Sequence, residues 1–438
     1  MSPEPHPLRC TAPLAVLALV LGACSPVGVL TTPGTDGGPL DDDTTDDDAD
    51  DDTSGDDDAS PPLEHVGGVE DPAGWMFTLD SVHSLDIQLE PSAVESLWID
   101  PYGYVQGDIV FDGAPVDDVG VRLKGRIGSF RDLSAKAAFK IDINRFVDGQ
   151  TFHGLEKLTL NNMIVDCSFA KERLAFDAFR AMDIPAPRAG YVWVTVNGEP
   201  YGLYLNVETP DDVFLARNYE DPGGNLYEAE YILYPNGSYL LVDFNNQSDD
   251  HFELEEGVDV QREDVRAITQ ALDQYAYTDE FFDQLDTLVD WDHHLRMVSA
   301  EQWIGQLDGY SLNTNNYRVY FDPADGKAEL LPWDLDYAFQ YDWAWGMSWY
   351  SPLGRLSQTC WADPTCQYEH TLAVDAACDI IDDLQLAVEL AEIADLVMPY
   401  VAEDPRRECS LDHVAYYQDV VHTWTAVRSA EVRAAWGL

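Results

Sequence analysis

The sequence predicts an α+β chain in which a β-rich N-terminal half precedes a mainly helical C-terminal half. Three observations predict it. Segments between about Trp75 and Glu208 alternate apolar and polar residues with period two. From about Val258 apolar residues recur at helical spacing. A hairpin, Tyr317 to Phe339, then interrupts the helical half and turns at Asp322-Pro-Ala-Asp-Gly326.

In chain order, Arg9 precedes the apolar run APLAVLALVLGAC, Ala12 to Cys24. The run is too short for a mature membrane span and has the shape of a signal-peptide core. It ends in Leu21-Gly22-Ala23-Cys24, which resembles the lipobox of bacterial lipoproteins. The expectation is a signal peptide over 1–24 and a lipidated Cys24 that anchors the chain on the periplasmic side or the cell surface. Residues 25–70 hold an Asp-rich, nearly apolar-free tract. Such a tract cannot offset its ordering entropy, so a disordered tether is expected there.

Residues 71–438 are expected to form the folded domain, divided near residue 210. HSLDIQLEP and GDIVFDGAPVDDVGVRLKG read as strands with turns. In AAFKIDINRF, Phe139, Ile141 and Ile143 share one face and Lys140, Asp142 and Asn144 the other. AKERLAFDAFRAM has helical spacing and stops before Pro185 and Pro187. GYVWVTVNGEPYGLYLNVE reads as a hairpin around Asn197-Gly198. The tail from Thr371 reads as amphipathic helix.

Lys and Arg number 24 against 81 Asp and Glu, for a formal net charge of −57. Such a surface repels nucleic acid and anionic lipid and suits a basic protein partner. A monomer is expected. Of seven Cys, five lie beyond the leader, at 167, 360, 366, 378 and 409. Export implies an oxidising compartment, where CWADPTC closes a short loop and Cys378–Cys409 is a candidate second bridge.

Chemistry concentrates around Asp308. Asn313 follows it as D-x-x-x-x-N, then Asn315 and Asn316, then the hairpin, then Asp334 and Asp336 in LLPWDLDYAF. On a strand, residues two apart share a face, so these two carboxylates would repel if buried unpaired. Sharing a divalent cation removes the conflict. Kinase-type phosphoryl transfer needs these parts in this order: a loop Asp for the hydroxyl, then an Asn and a later Asp on the metal. The bland alternative is that Asp308 caps a turn, the Asn run supplies turn residues and one carboxylate pairs with an Arg.

Beyond these residues, VGVRLKGRIGSF, LEKLTLNNMIVDCSFAKERLAF, NGEPYGLYLNVE, GGNLY and NNYRVYFDPADGKAELLPWDLDYAF together resemble the spore coat protein H (CotH) kinase family, from about Ser84 to Phe339. The resemblance implies an atypical bilobal protein-kinase-like fold that binds ATP with Mg²⁺ and phosphorylates Ser. It implies Asp308 as catalytic residue and Asn316 or Asn313, Asp334 and Asp336 as metal ligands. Lys124 matches a basic-Gly-polar loop near the phosphates. Lys136 and Lys140 match a Lys-bearing strand, one of them reaching the phosphates. Glu172 sits where it would pair with that Lys, and Glu208 where a hinge would meet adenine. The chain departs from the family at Lys171, often Arg, and at Glu228, often Lys. These departures keep open an inactive kinase-like module that binds a protein or polysaccharide, supported also by the aromatic run Tyr341 to Gly354, which equally reads as core packing. A metal-dependent hydrolase ranks last, because no His joins the cluster.

Overall fold

The computed structural model describes residues 71–438 apart from 235, and the leader, Cys24 and the Asp-rich tract lie outside them. Seven strands close into a barrel: β1 (His83–Gln88), β2 (Val105–Phe111), β3 (Ala114–Lys124), β4 (Ala138–Asp142), β5 (Lys157–Asn161), β6 (Ala189–Val196) and β7 (Glu199–Val207). Their order is β1-β2-β3-β4-β5-β7-β6, with β1 parallel to β6 and every other pair antiparallel. Alternation explains the closure. Leu85 and Ile87, Val119, Val121 and Leu123, and Phe139 and Ile141 all enter one core. Asn197 and Gly198 both have positive φ, as the tight β6–β7 turn requires. The Asn197 amide also bonds the backbone of Leu89, fixing that turn to the end of β1.

Two helices interrupt the barrel strands, α1 (Pro91–Ile99) and α2 (Lys171–Ala181). The inner face of α2 carries Leu174, Ala175, Ala178 and Phe179 into the main apolar core. After α3 (Asp212–Asn218) come β8 (Asn225–Ala229), β9 (Ile232–Leu233), β10 (Tyr239–Leu240) and β11 (Glu253–Glu256). Helices α4 (Glu263–Tyr275), α5 (Phe281–Leu285), α6 (Trp291–Ile304) and α7 (Tyr310–Asn313) precede the hairpin β12 (Tyr317–Phe321) and β13 (Ala328–Pro332). A four-stranded sheet runs β11-β8-β12-β13. Four helices finish the chain: α8 (Arg355–Ala362), α9 (Pro364–Asp383), α10 (Leu386–Glu403) and α11 (Leu411–Trp436). Asp363 caps α9 by accepting the Thr365 and Cys366 amides, with Pro364 in the first turn. Among the described residues no helix is long and apolar enough to cross a membrane.

The C-terminal segment is fastened to the barrel by charge and sulfur. Asp404, after α10, accepts from Lys136 Nζ at 2.6 Å, with both side chains essentially unexposed. The Leu203 and Arg406 amides donate to the same carboxylate. Gly202 is required beneath it, because a Cβ there would meet Asp404 Oδ1 at 2.1 Å. Lys136 therefore lies inside a structural ion pair, away from the position expected for a phosphate ligand. Among the described residues the disulfides are Cys360–Cys366, as expected, and Cys167–Cys409, whereas Cys378 is buried and unpaired. The proposed Cys378–Cys409 bridge is thus corrected: Cys378 sits in α9, where its thiol faces the Ser429 carbonyl of α11.

The aromatic run divides its duties. Trp349 is buried and Trp345 packs beside it on Leu307 and Leu312, while Trp343 is 72% exposed.

Two stability predictions follow from these buried charges. Asp404→Asn leaves the Lys136 ammonium buried without its counter-ion, and should lower unfolding free energy by about 3–5 kcal/mol in a urea titration. His294 lies buried in α6 with its Nδ1 unpartnered. Burial, reinforced by His370 and His293, pushes its pKa down to about 3. A depressed folded pKa gives stability that is complete above the unfolded value near 6.5 and lost as pH falls toward 3. The difference in stability between wild type and His294→Gln should therefore shrink by about 1.4 kcal/mol per pH unit below pH 6.

Candidate active site

A cleft of about 320 Å³ runs between β3, β4 and β5 of the barrel on one side and β8, β12 and the segment after β13 on the other. Its wall contains two kinds of charge. Arg122, Lys124, Arg126, Lys140 and Arg318 line it, as do Asp166, Glu172, Glu228, Glu230, Asp308, Asp334 and Asp336.

The loop after α6 builds the acidic part. Glu301 of α6 accepts the Tyr310 and Ser311 amides and so holds the start of α7. Asp308, just before that helix, accepts amide hydrogens from Asn313 at 2.5 Å, Asn315 at 3.2 Å and Asn316 at 3.1 Å. The D-x-x-x-x-N spacing thus turns three carboxamides onto one carboxylate. Donation through nitrogen leaves each amide oxygen for another partner. The Asn315 oxygen is buried with none. Asn315 and Asn316 reach the cleft, whereas Asn313 supports Asp308 from outside the lining. Asn315 was missed in the sequence; its only signal was its place within the Asn run.

Asp334 and Asp336 do not lie on a strand. β13 ends at Pro332, and Asp334 takes φ +48°. Thr314 and Asn316 are also left-handed, at +46° and +50°. Such conformations cost energy in a residue with a Cβ and cluster where a site over-determines them. The Trp333 amide bonds the Asn316 carbonyl, and Gln306 donates to the Asp334 carbonyl, so the two halves of the acidic cluster are locked together.

Glu172 enters from α2. Its two oxygens accept from the Asn161 amide at 2.9 and 2.8 Å, and Lys124 Nζ bonds the oxygen of that same amide. Glu172 therefore meets its lysine through Asn161, and that lysine is Lys124 of β3. The expected partner, Lys136 or Lys140, is displaced. Asp166 accepts the Lys171 amide at 2.8 Å and fixes the first turn of α2.

The electrostatics express the conflict read from the sequence. Burial pushes Glu172 up to about 8, with the Asp334 charge adding. Burial likewise raises Asp308 to about 6, against the Asn313 and Asn315 hydrogen bonds. Burial raises Asp336 far above the ordinary range, and Asp334, Glu172, Asp308 and Asp166 all push the same way. Asp334 is raised by burial despite Lys124. Hard oxygen donors in a buried anionic cluster, with one orphaned amide oxygen, fit a divalent cation such as Mg²⁺ or Mn²⁺.

Glu208 is elsewhere. It is 3% exposed and clamped by Arg188 at 2.9 Å and Arg217 at 2.6 Å. Burial alone would raise its pKa, but those guanidiniums hold it below the usual carboxylate range. The expected hinge contact with adenine is replaced by this ion-pair cluster. Lys140 does line the cleft, and among the described residues it has no hydrogen-bonded or ion-paired partner.

The family model for CotH kinase protein matches residues 121–429, which takes in every cleft residue named above. The chain belongs to the CotH kinase family. Two curated relatives come from Bacillus subtilis strain 168. Inner spore coat protein H is 24% identical over 212 residues, 46% of this chain and 53% of that protein. Inner spore coat protein H-like protein is 36% identical over 78 residues, 18% of this chain and 24% of that one. The matches thus span about half or less of those relatives. Among solved structures, the Shewanella oneidensis MR-1 HipA–HipB–operator DNA complex aligns over 80% of this chain and 74% of that one. It does so at 13% identity and a TM-score of 0.29, too low to carry an argument.

If the buried carboxylates are held for a cation, they are unfavourable without one. Asp336→Asn should then stabilise the metal-free CotH domain by about 0.5–2 kcal/mol. It should also abolish the rise in Tm that millimolar Mg²⁺ or Mn²⁺ gives the wild type.

Proposed function

We propose that this chain is an ATP- and Mg²⁺-dependent protein kinase that phosphorylates Ser or Thr on a secreted or surface protein. One observation carries the reading. The same cleft opposes cations from β3 and β4 to a buried oxygen-donor cluster from α2, the Asp308 loop and the segment after β13. A metal–polyphosphate complex needs both halves at once, and catalysis of its transfer is mostly positioning and charge stabilisation.

Each residue then has a task. Lys124, oriented by Asn161 and Glu172, holds phosphate oxygens. Asp334 and Asp336, with Asn316 and Asn315, hold the cation, which when bound neutralises charge developing on the transferred group. Asp308 orients the substrate hydroxyl and receives its proton as the hydroxyl oxygen bonds to the γ-phosphorus and the bond to the β-phosphate bridge breaks. The three carboxamides on Asp308 fix the direction of that carboxylate.

The acidic composition supports a basic polypeptide substrate. The lipobox-like Cys24 supports a lipid-anchored, extracytoplasmic protein. A non-catalytic module that binds protein or polysaccharide is the second reading, favoured by the exposed Trp343 stacked on Tyr341.

Mg·ATP should raise Tm of the wild type, since a ligand that binds only the native state stabilises it by mass action. ATP without metal should give a smaller shift, and Asp334→Asn should show neither. Transfer of ³²P from γ-labelled ATP to a basic protein such as a histone, or to the chain itself, should be lost in Asp308→Asn. Absence of any Tm shift at millimolar Mg·ATP would leave the binding-module reading in place.

A further inference from the structure

We propose that Arg318 is a further phosphate-binding residue of the cleft, beside the Lys140 that the family resemblance implies, an assignment that rests on the reading of the cleft as a polyphosphate site. Arg318 belongs to β12, next to β8 in the four-stranded sheet. Tyr317, Val319 and Phe321 of the same strand turn into the apolar core, and Arg318 faces the cleft instead. It is 2% exposed. Taking a guanidinium out of water is costly unless its donors find acceptors. Here they do so incompletely. Nη2 donates to Glu228 Oε1 at 3.0 Å, directly across the strand pair. Nη1 is 4.0 Å from Glu255, and both Nε and Nη1 are buried without a hydrogen-bond acceptor among the described residues.

Lys140 lines the same cleft from β4 and, among the described residues, has no hydrogen-bonded or ion-paired partner. Burial and the Arg318 charge together push its pKa down. The Arg318 charge acts against a charged Lys140, which Glu255 and Glu228 offset only in part. An anion bound at Arg318 would satisfy its unmet donors and favour the charged form of Lys140. Phosphate suits the pair, because a guanidinium edge takes two oxygens side by side and an ammonium supplies a point charge. The Trp333 ring ties this subsite to the first one, with Arg318 Cζ 5.1 Å and Lys124 Nζ 5.8 Å from its centroid. Glu228 and Glu255, which with Glu253 bring carboxylate oxygens within 4.8 Å of one another, serve here to hold the guanidinium.

The test is calorimetric titration of the full chain with tripolyphosphate, Mg·ATP and adenosine. The variants are Arg318→Lys, Arg318→Gln and the double variant Arg318→Gln/Glu228→Gln, each first checked for wild-type Tm. Arg318→Gln should weaken tripolyphosphate and Mg·ATP about 10- to 100-fold, the usual range for a lost charge-assisted hydrogen bond, and leave adenosine unchanged. Arg318→Lys should fall between the two. The double variant, which removes the unpaired Glu228 charge and restores folding if Arg318→Gln fails, should remain weak. Wild-type affinity in Arg318→Gln would overturn the subsite, and so would recovery in the double variant, since Arg318 would then act only as counter-ion to Glu228. If the wild type binds tripolyphosphate but not Mg·ATP, and Arg318→Gln loses it, the subsite stands and the kinase reading falls. If it binds neither, both fall.

Discussion

Burying several carboxylates together is the constraint around which the cleft is arranged. Asp308, Asp334, Asp336, Glu172 and Asp166 come from three separate stretches of chain, and each raises the cost of ionising another. The surroundings answer that cost locally. Three asparagines turn onto Asp308, Asn161 bridges Glu172 to Lys124, and backbone amides satisfy Asp166. These neutral or singly charged supports fix direction without cancelling the charge. The residue of uncompensated negative charge is what gives the site an affinity for a hard cation. Stability is given up there, and the barrel and helical cores supply it elsewhere.

Much of this could be read from the chain because the strongest signals are local. The barrel strands alternate, the β6–β7 turn carries Asn-Gly, and α2 shows a helical face ended by prolines. The acidic cluster was legible because Asp308, the Asn run and the Asp pair sit within thirty residues on either side of one hairpin. The strand assignment of LLPWDLDYAF failed for an instructive reason. Its apolar residues are buried as a strand's would be, but Asp334 adopts a left-handed backbone that ends the ladder. A period-two pattern does not reveal such a turn.

Partners distant in sequence were less accessible. Lys136, Lys140 and Lys124 are equivalent to a reader of composition, yet one meets Asp404, one has no hydrogen-bonded or ion-paired partner among the described residues and one meets Asn161. Glu208 looked like a free strand end because Arg188 and Arg217 arrive from β6's approach and from α3. Cys409 chose Cys167 over Cys378 for the same reason: the pairing is decided by where α10 turns back toward the barrel. Charge and sulfur follow tertiary proximity, which sequence separation conceals.

The Lys136–Asp404 clamp also bears on the order in which the molecule can be made. Lys136 lies in the first third of the chain, and its counter-ion follows 268 residues later. A ribosome moving at about 5–20 residues per second needs on the order of tens of seconds to deliver it. Throughout that interval Lys136 has no counter-ion, so it gains by staying in water or losing its proton. Pairing of Lys136 therefore waits until the far end of the polypeptide has emerged. The clamp makes the buried state of Lys136 a property of the finished chain, absent from any N-terminal part of it.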